Sequence, residues 1–142
     1  MKEYVFGKNV ALKVILDSNF LFLPFQFRID ILEELKTLLN QRFEPVLLSS
    51  TYQELRMMAE KSSPTRRKQA SLALKLAEKY TLTNVEKSVR ETNDDVILRV
   101  ATEWKSPVAT NDRELRKRLR ARSIPAIFLR GKTRLEMEGS LT

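Results

Sequence analysis

The chain has 142 residues, 42% of them hydrophobic, a formal net charge of +8, and neither cysteine nor histidine. This composition excludes disulfides, zinc–thiolate sites, thiol catalysis and imidazole bases, so any chemistry rests on carboxylates, hydroxyls, Lys, Arg, Tyr or a bound metal. The length suits one domain over residues 1–142 with its own core, and the basic excess favours a polyanionic partner, most often nucleic acid, although solubility alone also accounts for it.

The first twenty residues are broken by polar positions and offer no small-residue cleavage site, so no signal peptide is expected. No segment approaches the roughly 20 apolar residues of a membrane span, and a cytoplasmic protein without membrane contact is expected.

Residues 10–16 (VALKVIL) read as a buried strand that stops at Asp17-Ser18-Asn19. The aromatic stretch 20–27, around Pro24, reads as irregular. Residues 28–43 carry Ile29, Leu32, Leu35, Leu38 and Leu39 at helical spacing. A short strand is expected at 45–49, followed by a helix capped by Ser50 or Thr51 with Gln53 or Glu54 in its first turn. Residues 61–67 read as a polar connection, and a further helix runs to about Tyr80 with Leu72, Leu76 and the alanines on one face. A weak third strand is predicted at 81–85. The next helix takes Thr92 or Asn93 as cap, which puts Asp94 and Asp95 at its positive end. A fourth strand at 107–110 stops at Asn111-Asp112, a basic helix follows, and 125–129 makes a fifth strand.

Strands alternating with helices imply a parallel sheet covered on both faces, with ligands bound outside the carboxyl ends of the strands where their order reverses. Asp17 and Asp112 each stand just past a strand, and Glu54 and Asp95 each lie near a helix start. Gathered carboxylates repel one another unless a hard cation joins them, and Mg²⁺ or Mn²⁺ takes oxygen ligands. The expected catalytic set is Asp17, Glu54, Asp95 and Asp112. Asp17, Asp95 and Asp112 are the expected metal ligands, with Glu54 reaching the metal or holding its water. Asn19, Thr110 and Asn111 would orient ligands or phosphate, with Asp94 beside them in the same supporting role. Each acid also has a structural reading: a turn bond for Asp17, a capping box for Glu54, the helix N-terminus for Asp94 and Asp95 (the favoured reading for Asp94), a cap for Asp112. Their joint placement favours function.

The run of these motifs is similar to a PIN domain, a small metal-dependent ribonuclease fold, over nearly the whole chain. The matching pieces are the strand before Asp17-Ser18-Asn19, then Ser50-Thr51-Tyr52-Gln53-Glu54-Leu55, then Asn93-Asp94-Asp95-Val96, and Val108-Ala109-Thr110-Asn111-Asp112. The stretches DSNFLFLPFQFRIDIL, NDDVILRVATEWKSPVATNDRELRKRLR and IPAIFLRGKTRLEME resemble the branch that processes pre-ribosomal RNA. The resemblance implies an α/β three-layer sandwich with a central five-stranded parallel sheet flanked by helices. It also implies endonucleolytic RNA cleavage with Mg²⁺ or Mn²⁺, in precursor small-subunit ribosomal RNA. Asp95 fits the motif register, with Asp94 in reserve. The extensions of larger relatives are missing, which leaves open whether ribosome-assembly proteins help it find its site. Related domains often pair, so a homodimer using Phe22 and Phe25 is an option; otherwise these rings and Trp104 read as core.

The basic helix places Arg116 and Arg120 on one face with Arg113 and Lys117 beside them, while Leu115 and Leu119 must face inward. These four cations are the RNA-binding candidates, and clusters at 66–68 and around Arg130, Lys132 and Arg134 could extend the path. Two other readings stand: a toxin of the VapC type, and an assembly factor that binds RNA without cutting it. A nucleotide-binding α/β protein would want a glycine-rich phosphate loop, which is lacking.

Overall fold

A computed structural model describes residues 10–141; residues 1–9, which fall in the stretch read for a signal peptide, and residue 142 lie outside the described residues. Among the described residues no helix is long and apolar enough to cross a membrane.

The strands are β1 (Leu12–Leu16), β2 (Phe43–Leu48), β3 (Thr81–Thr83), β4 (Val108–Ala109), β5 (Ala126–Arg130) and β6 (Arg134–Glu138), in the sheet order β3-β2-β1-β4-β5-β6. The first five are parallel and correspond to the five expected strands, with β3 ending at Thr83 rather than at 85. The sixth is an addition to the expected sheet. It runs antiparallel to β5 through a tight turn that Gly131 and Lys132 make with positive φ.

Alternation along the strands explains the layers. Val14 and Leu16 join one core with Leu47, Ala109 and Ile127, whereas Ile15, Val46, Leu48, Val108 and Ala126 belong to the other. Successive side chains point to opposite faces, so a strand buried on both sides reads as a continuous apolar run. The first core is covered by α1 (Leu23–Phe27), α2 (Ile31–Leu39), α3 (Ser49–Lys61) and α4 (Pro64–Leu76). The second is covered by α5 (Asn93–Trp104) and α6 (Arg113–Ala121), whose Leu115 and Leu119 are fully buried as their spacing required.

Several boundaries differ from expectation for local reasons. The 20–27 stretch is ordered as a 3₁₀ turn at Asn19–Phe22 running into α1, because Phe20, Leu21, Phe22 and Leu23 are all buried. The helix read at 28–43 is cut to α2: Asp30 caps its start by accepting from the Glu33 N–H at 3.2 Å, and Asn40 ends it in the left-handed region. The polar connection shrinks to Ser62 and Ser63, since Pro64 opens α4 with its φ already helical. Leu72 lies exposed, away from the buried Ala70 and Ala73.

Candidate active site

Strands β2 and β3 lie to one side of β1, and β4 and β5 to the other, so the order reverses between β1 and β4 and leaves a crevice at their carboxyl ends. Asp17 stands on that lip. Its N–H donates to the Ala109 carbonyl at 3.0 Å, which carries the β1–β4 pairing one step beyond the strands. Only 2% exposed, its carboxylate is held from three sides. Oδ1 accepts from the Ser18 N–H at 2.8 Å; Oδ2 accepts from the Thr110 hydroxyl at 2.7 Å and from Asn19 Nδ2 at 2.9 Å. Burial raises its pKa from 3.8 to about 6, with the charges of Asp94 and Glu54 adding to the rise. The Thr110 and Ser18 hydrogen bonds act the other way.

Glu54 does not complete a capping box. α3 begins at Ser49 without a side-chain cap, so Glu54 falls in its second turn and reaches across to β1. Its Oε1 accepts from the Ser18 hydroxyl at 2.7 Å and from Asn93 Nδ2 at 3.4 Å. The supposed caps Ser50 and Thr51 instead donate to Asn93 Oδ1, at 2.7 and 3.1 Å, and tie α3 to the start of α5.

Of the two adjacent aspartates, Asp95 caps the helix and Asp94 lines the crevice, the reverse of the placement that motif register suggests. Thr92 is the cap of α5, and Asp95 completes a capping box with it: the Thr92 N–H donates to Asp95 Oδ2 at 2.9 Å, and the Asp95 N–H to the Thr92 hydroxyl at 3.1 Å. Asp95 Oδ1 also accepts from Arg118 at 2.8 Å. The Thr92 N–H, followed by Arg118, lowers its pKa to about 2. It is thus committed away from the crevice, whereas Asp94, one residue earlier, lines it. Burial, Asp112 and Glu54 raise the pKa of Asp94.

Asp112 is the cap weighed for it, and it stands at the crevice edge as well. Its Oδ1 caps α6 by accepting from the Glu114 and Leu115 N–H groups at 2.8 and 3.2 Å, and the residue also borders the crevice. Thr110 ties it in, for the Asp112 N–H donates to the Thr110 hydroxyl at 3.0 Å. Asn111 braces the rim: its N–H donates to Asn19 Oδ1, and its own Oδ1 accepts from the Leu129 N–H, each at 2.9 Å.

Asp17, Glu54, Asp94 and Asp112 therefore border one cavity of about 400 Å³, with Ser18, Asn19 and Arg118 among their neighbours. Arg118 reads in sequence as one more surface cation of α6, yet it lines this cavity while bound to Asp95. Sequence reasoning also missed Ser18 and Asn93 as the residues that hold Glu54, and Ser50 and Thr51 as those that hold Asn93. The one available signal was their position inside the motifs that contain Asp17, Glu54 and Asp94.

The donor set is wholly hard oxygen, and the charges of Asp17 and Asp94 are held unfavourably, which is the environment that a hard divalent cation relieves. Among the described residues no three acidic side chains stand close enough together to hold a metal ion as they are placed, and Asp17 and Glu54 are hydrogen-bonded to hydroxyl and amide donors of the cavity wall. Asp17, Glu54, Asp94 and Asp112 are the side chains that could hold such an ion.

Of the other expected residues, Arg116 and Arg120 pair with Glu138 at 3.8 and 3.0 Å. Trp104 packs on the second core under Lys13, whose Nζ lies 4.6 Å from the ring centroid. Phe22 is buried, so it is not free to face a partner; Phe25 is 36% exposed.

A mostly parallel sheet between two helical layers, with a carboxylate-lined crevice at its order reversal, is the architecture of a PIN-type domain. The comparisons agree: the family described as PIN like domain matches residues 14–132, and the chain belongs to it. It is similar to Ribonuclease VapC4 of Methanocaldococcus jannaschii, 34% identical over 130 residues that cover 89% of this chain and 97% of that protein. Among solved structures it is similar to the PIN domain endonuclease Utp24, with a TM-score of 0.75, 26% identity, and coverage of 90% of this chain and 92% of that one.

Proposed function

We propose that this protein is a divalent-cation-dependent endoribonuclease that hydrolyses RNA phosphodiesters, with precursor small-subunit ribosomal RNA as its substrate. The observation that carries the reading is the convergence of Asp17, Glu54, Asp94 and Asp112 on one cavity at the strand-order reversal. Two relatives named as a ribonuclease and an endonuclease, each matched over most of its length, support nuclease chemistry. The stretches that resemble the pre-ribosomal RNA branch support the substrate.

Bound Mg²⁺ or Mn²⁺ would acidify a water and offset phosphate charge in this site. The chain's own residues supply the rest. Thr110 and Asn19 fix the Asp17 carboxylate against the β4 tip. Ser18 and Asn93 hold Glu54 Oε1 at the cavity wall, from which its carboxylate would accept a proton from the attacking water. Arg118 keeps Asp95 folded onto the α5 start, while Asp94 lines the cavity and would face the substrate.

The test is a precursor small-subunit transcript incubated with Mn²⁺ and either the wild-type protein or Asp17→Asn, with product ends mapped. Discrete cuts that vanish in the variant are expected. Equal cleavage by both proteins would remove the proposed centre, and salt-sensitive binding without cutting would make the chain an assembly factor.

A second reading, a VapC-type toxin, is favoured by the 34% identity that spans nearly all of VapC4. Growth arrest on expression, relieved by Asp17→Asn, together with cutting of RNAs other than the precursor, would select it.

A further inference from the structure

Next to the acid cavity lies a depression of opposite charge. It measures about 450 Å³ and is lined by Arg113, Arg116, Lys117 and Arg120 of α6 and by Phe128 and Arg130 of β5, with Glu114 the one acid in its lining. The two depressions have no lining residue in common, but the chain joins their edges. Arg113 directly follows the cavity residue Asp112, and Leu129, which borders the cleft, donates its N–H to Asn111 Oδ1 at 2.9 Å.

The five cations differ in how they are neutralised. Arg116 and Arg120 face Glu138, and Arg130 pairs with Glu136 at 2.7 Å. Arg113 and Lys117, one helical turn apart, form no ion pair among the described residues. The Arg116–Glu138 separation of 3.8 Å is too long for a hydrogen bond, and both Arg116 Nε and Glu138 Oε1 are buried without a hydrogen-bond partner.

Phe128 is not a stacking platform. Its ring is 6% exposed, with the Arg116 guanidinium 3.7 Å from the centroid and that of Arg130 at 5.1 Å. A base has no aromatic face to lie on, so what the cleft offers is charge for a backbone.

We propose that this cleft holds the backbone phosphates adjoining the scissile one, recognising RNA by its charge and not by its bases. The proposal rests on the nuclease reading and deepens it. Arg113 and Lys117 supply uncompensated charge, and Arg116 is held in place by the Phe128 ring beneath it. Glu138 and Glu136 keep Arg120 and Arg130 extended until phosphate arrives.

The experiment measures binding of labelled oligo(A) and oligo(U) to the full chain by anisotropy over a KCl series, with EDTA present so that no cutting intervenes. For a single strand, each phosphate that the protein ceases to neutralise lowers the slope of log K against log salt by about 0.7. Arg113→Gln/Lys117→Gln is expected to weaken both oligomers roughly tenfold and to reduce the slope by about 1.4. Arg113→Lys/Lys117→Arg keeps the charges and should keep the wild-type slope. Unchanged affinity and slope in the Gln variant would overturn the proposal, and so would a loss confined to one homopolymer. Cleavage with Mn²⁺ is scored separately: a wild-type protein that shows the expected slopes and never cuts defeats the nuclease reading while leaving the cleft as an RNA site.

Discussion

Thr110 donates its hydroxyl hydrogen to Asp17 Oδ2 at 2.7 Å, and this bond joins the tips of β1 and β4 where the sheet order reverses. Both side chains are buried, and the same hydroxyl also accepts from the Asp112 N–H at 3.0 Å. One oxygen thus sets the positions of two acids. Thr110→Val keeps the shape and removes that oxygen. A hydrogen bond to a charged group is worth about 1.5–3 kcal/mol, and a loss of that order in urea unfolding is expected. The Thr110 bond holds the Asp17 pKa down, so its removal raises that pKa further and moves the acidic limb of the pH–rate profile to higher pH. An unmoved limb would show that Asp17 is not the group titrating there.

The pKa of Asp17 makes the metal-free protein pH-sensitive in a defined direction. Its folded value of about 6 lies above the ordinary 3.8, so between these values the native state holds more protons than the unfolded chain. Stability from this group is therefore present at low pH and lost as pH rises through about 6. At about 1.36 kcal/mol per unit the full penalty approaches 3 kcal/mol, an upper value for a neutral replacement because the introduced amide would set a hydrogen against Asn19 Nδ2. Asp17→Asn is expected to be the more stable protein in EDTA at neutral pH, to lose that advantage in acid, and to be inactive. Paired urea titrations across pH would expose the opposite slope, if it exists.

The layers were legible because strands buried on both faces cannot hide their apolar runs, and Asp17 and Asp112 were legible because each sits where such a run stops. The choice between Asp94 and Asp95 was not. Both lie at the start of α5, and only the identity of the cap decides which turns back on the helix. With Thr92 as cap, Asp95 is the third helical residue and its carboxylate returns to the Thr92 N–H; with Asn93 as cap the roles would shift by one. Asn93 looks equally suited to capping in sequence, but its amide is engaged by Ser50, Thr51 and Glu54, partners more than thirty-five residues away. β6 was missed for another reason. Arg134, Glu136 and Glu138 alternate with Leu135 and Met137 on an edge strand covered on one side, and the flanking Arg130 and Lys132 made the segment resemble a basic surface.

The two aspartates can be told apart directly. Asp94→Asn removes a charge held unfavourably beside Asp112 and Glu54, so cleavage should fall by a hundredfold or more while thermal stability holds or rises (about two orders of magnitude is typical of losing one electrostatic group at a reacting centre). Asp95→Asn breaks the capping box and the Arg118 pair, so it should lower the melting temperature and retain more activity than Asp94→Asn. The reverse ranking in cleavage rate would return the site to Asp95.

Metal addition tests the cavity without reference to any RNA. A cation that binds only the folded chain stabilises it by about 2.7 kcal/mol at a hundred times its dissociation constant. It must also displace the proton that Asp17 holds below about 6, so binding weakens with acidity. The rise in melting temperature produced by Mn²⁺ should therefore be large at neutral pH and small near pH 5, and absent at both in Asp17→Asn. Asn93→Ala offers the finer control. It frees Glu54 from one of its two donors and unties α3 from α5, so the Mn²⁺ shift should shrink without vanishing. A shift of equal size in wild type and Asp17→Asn would place the ion elsewhere on the protein.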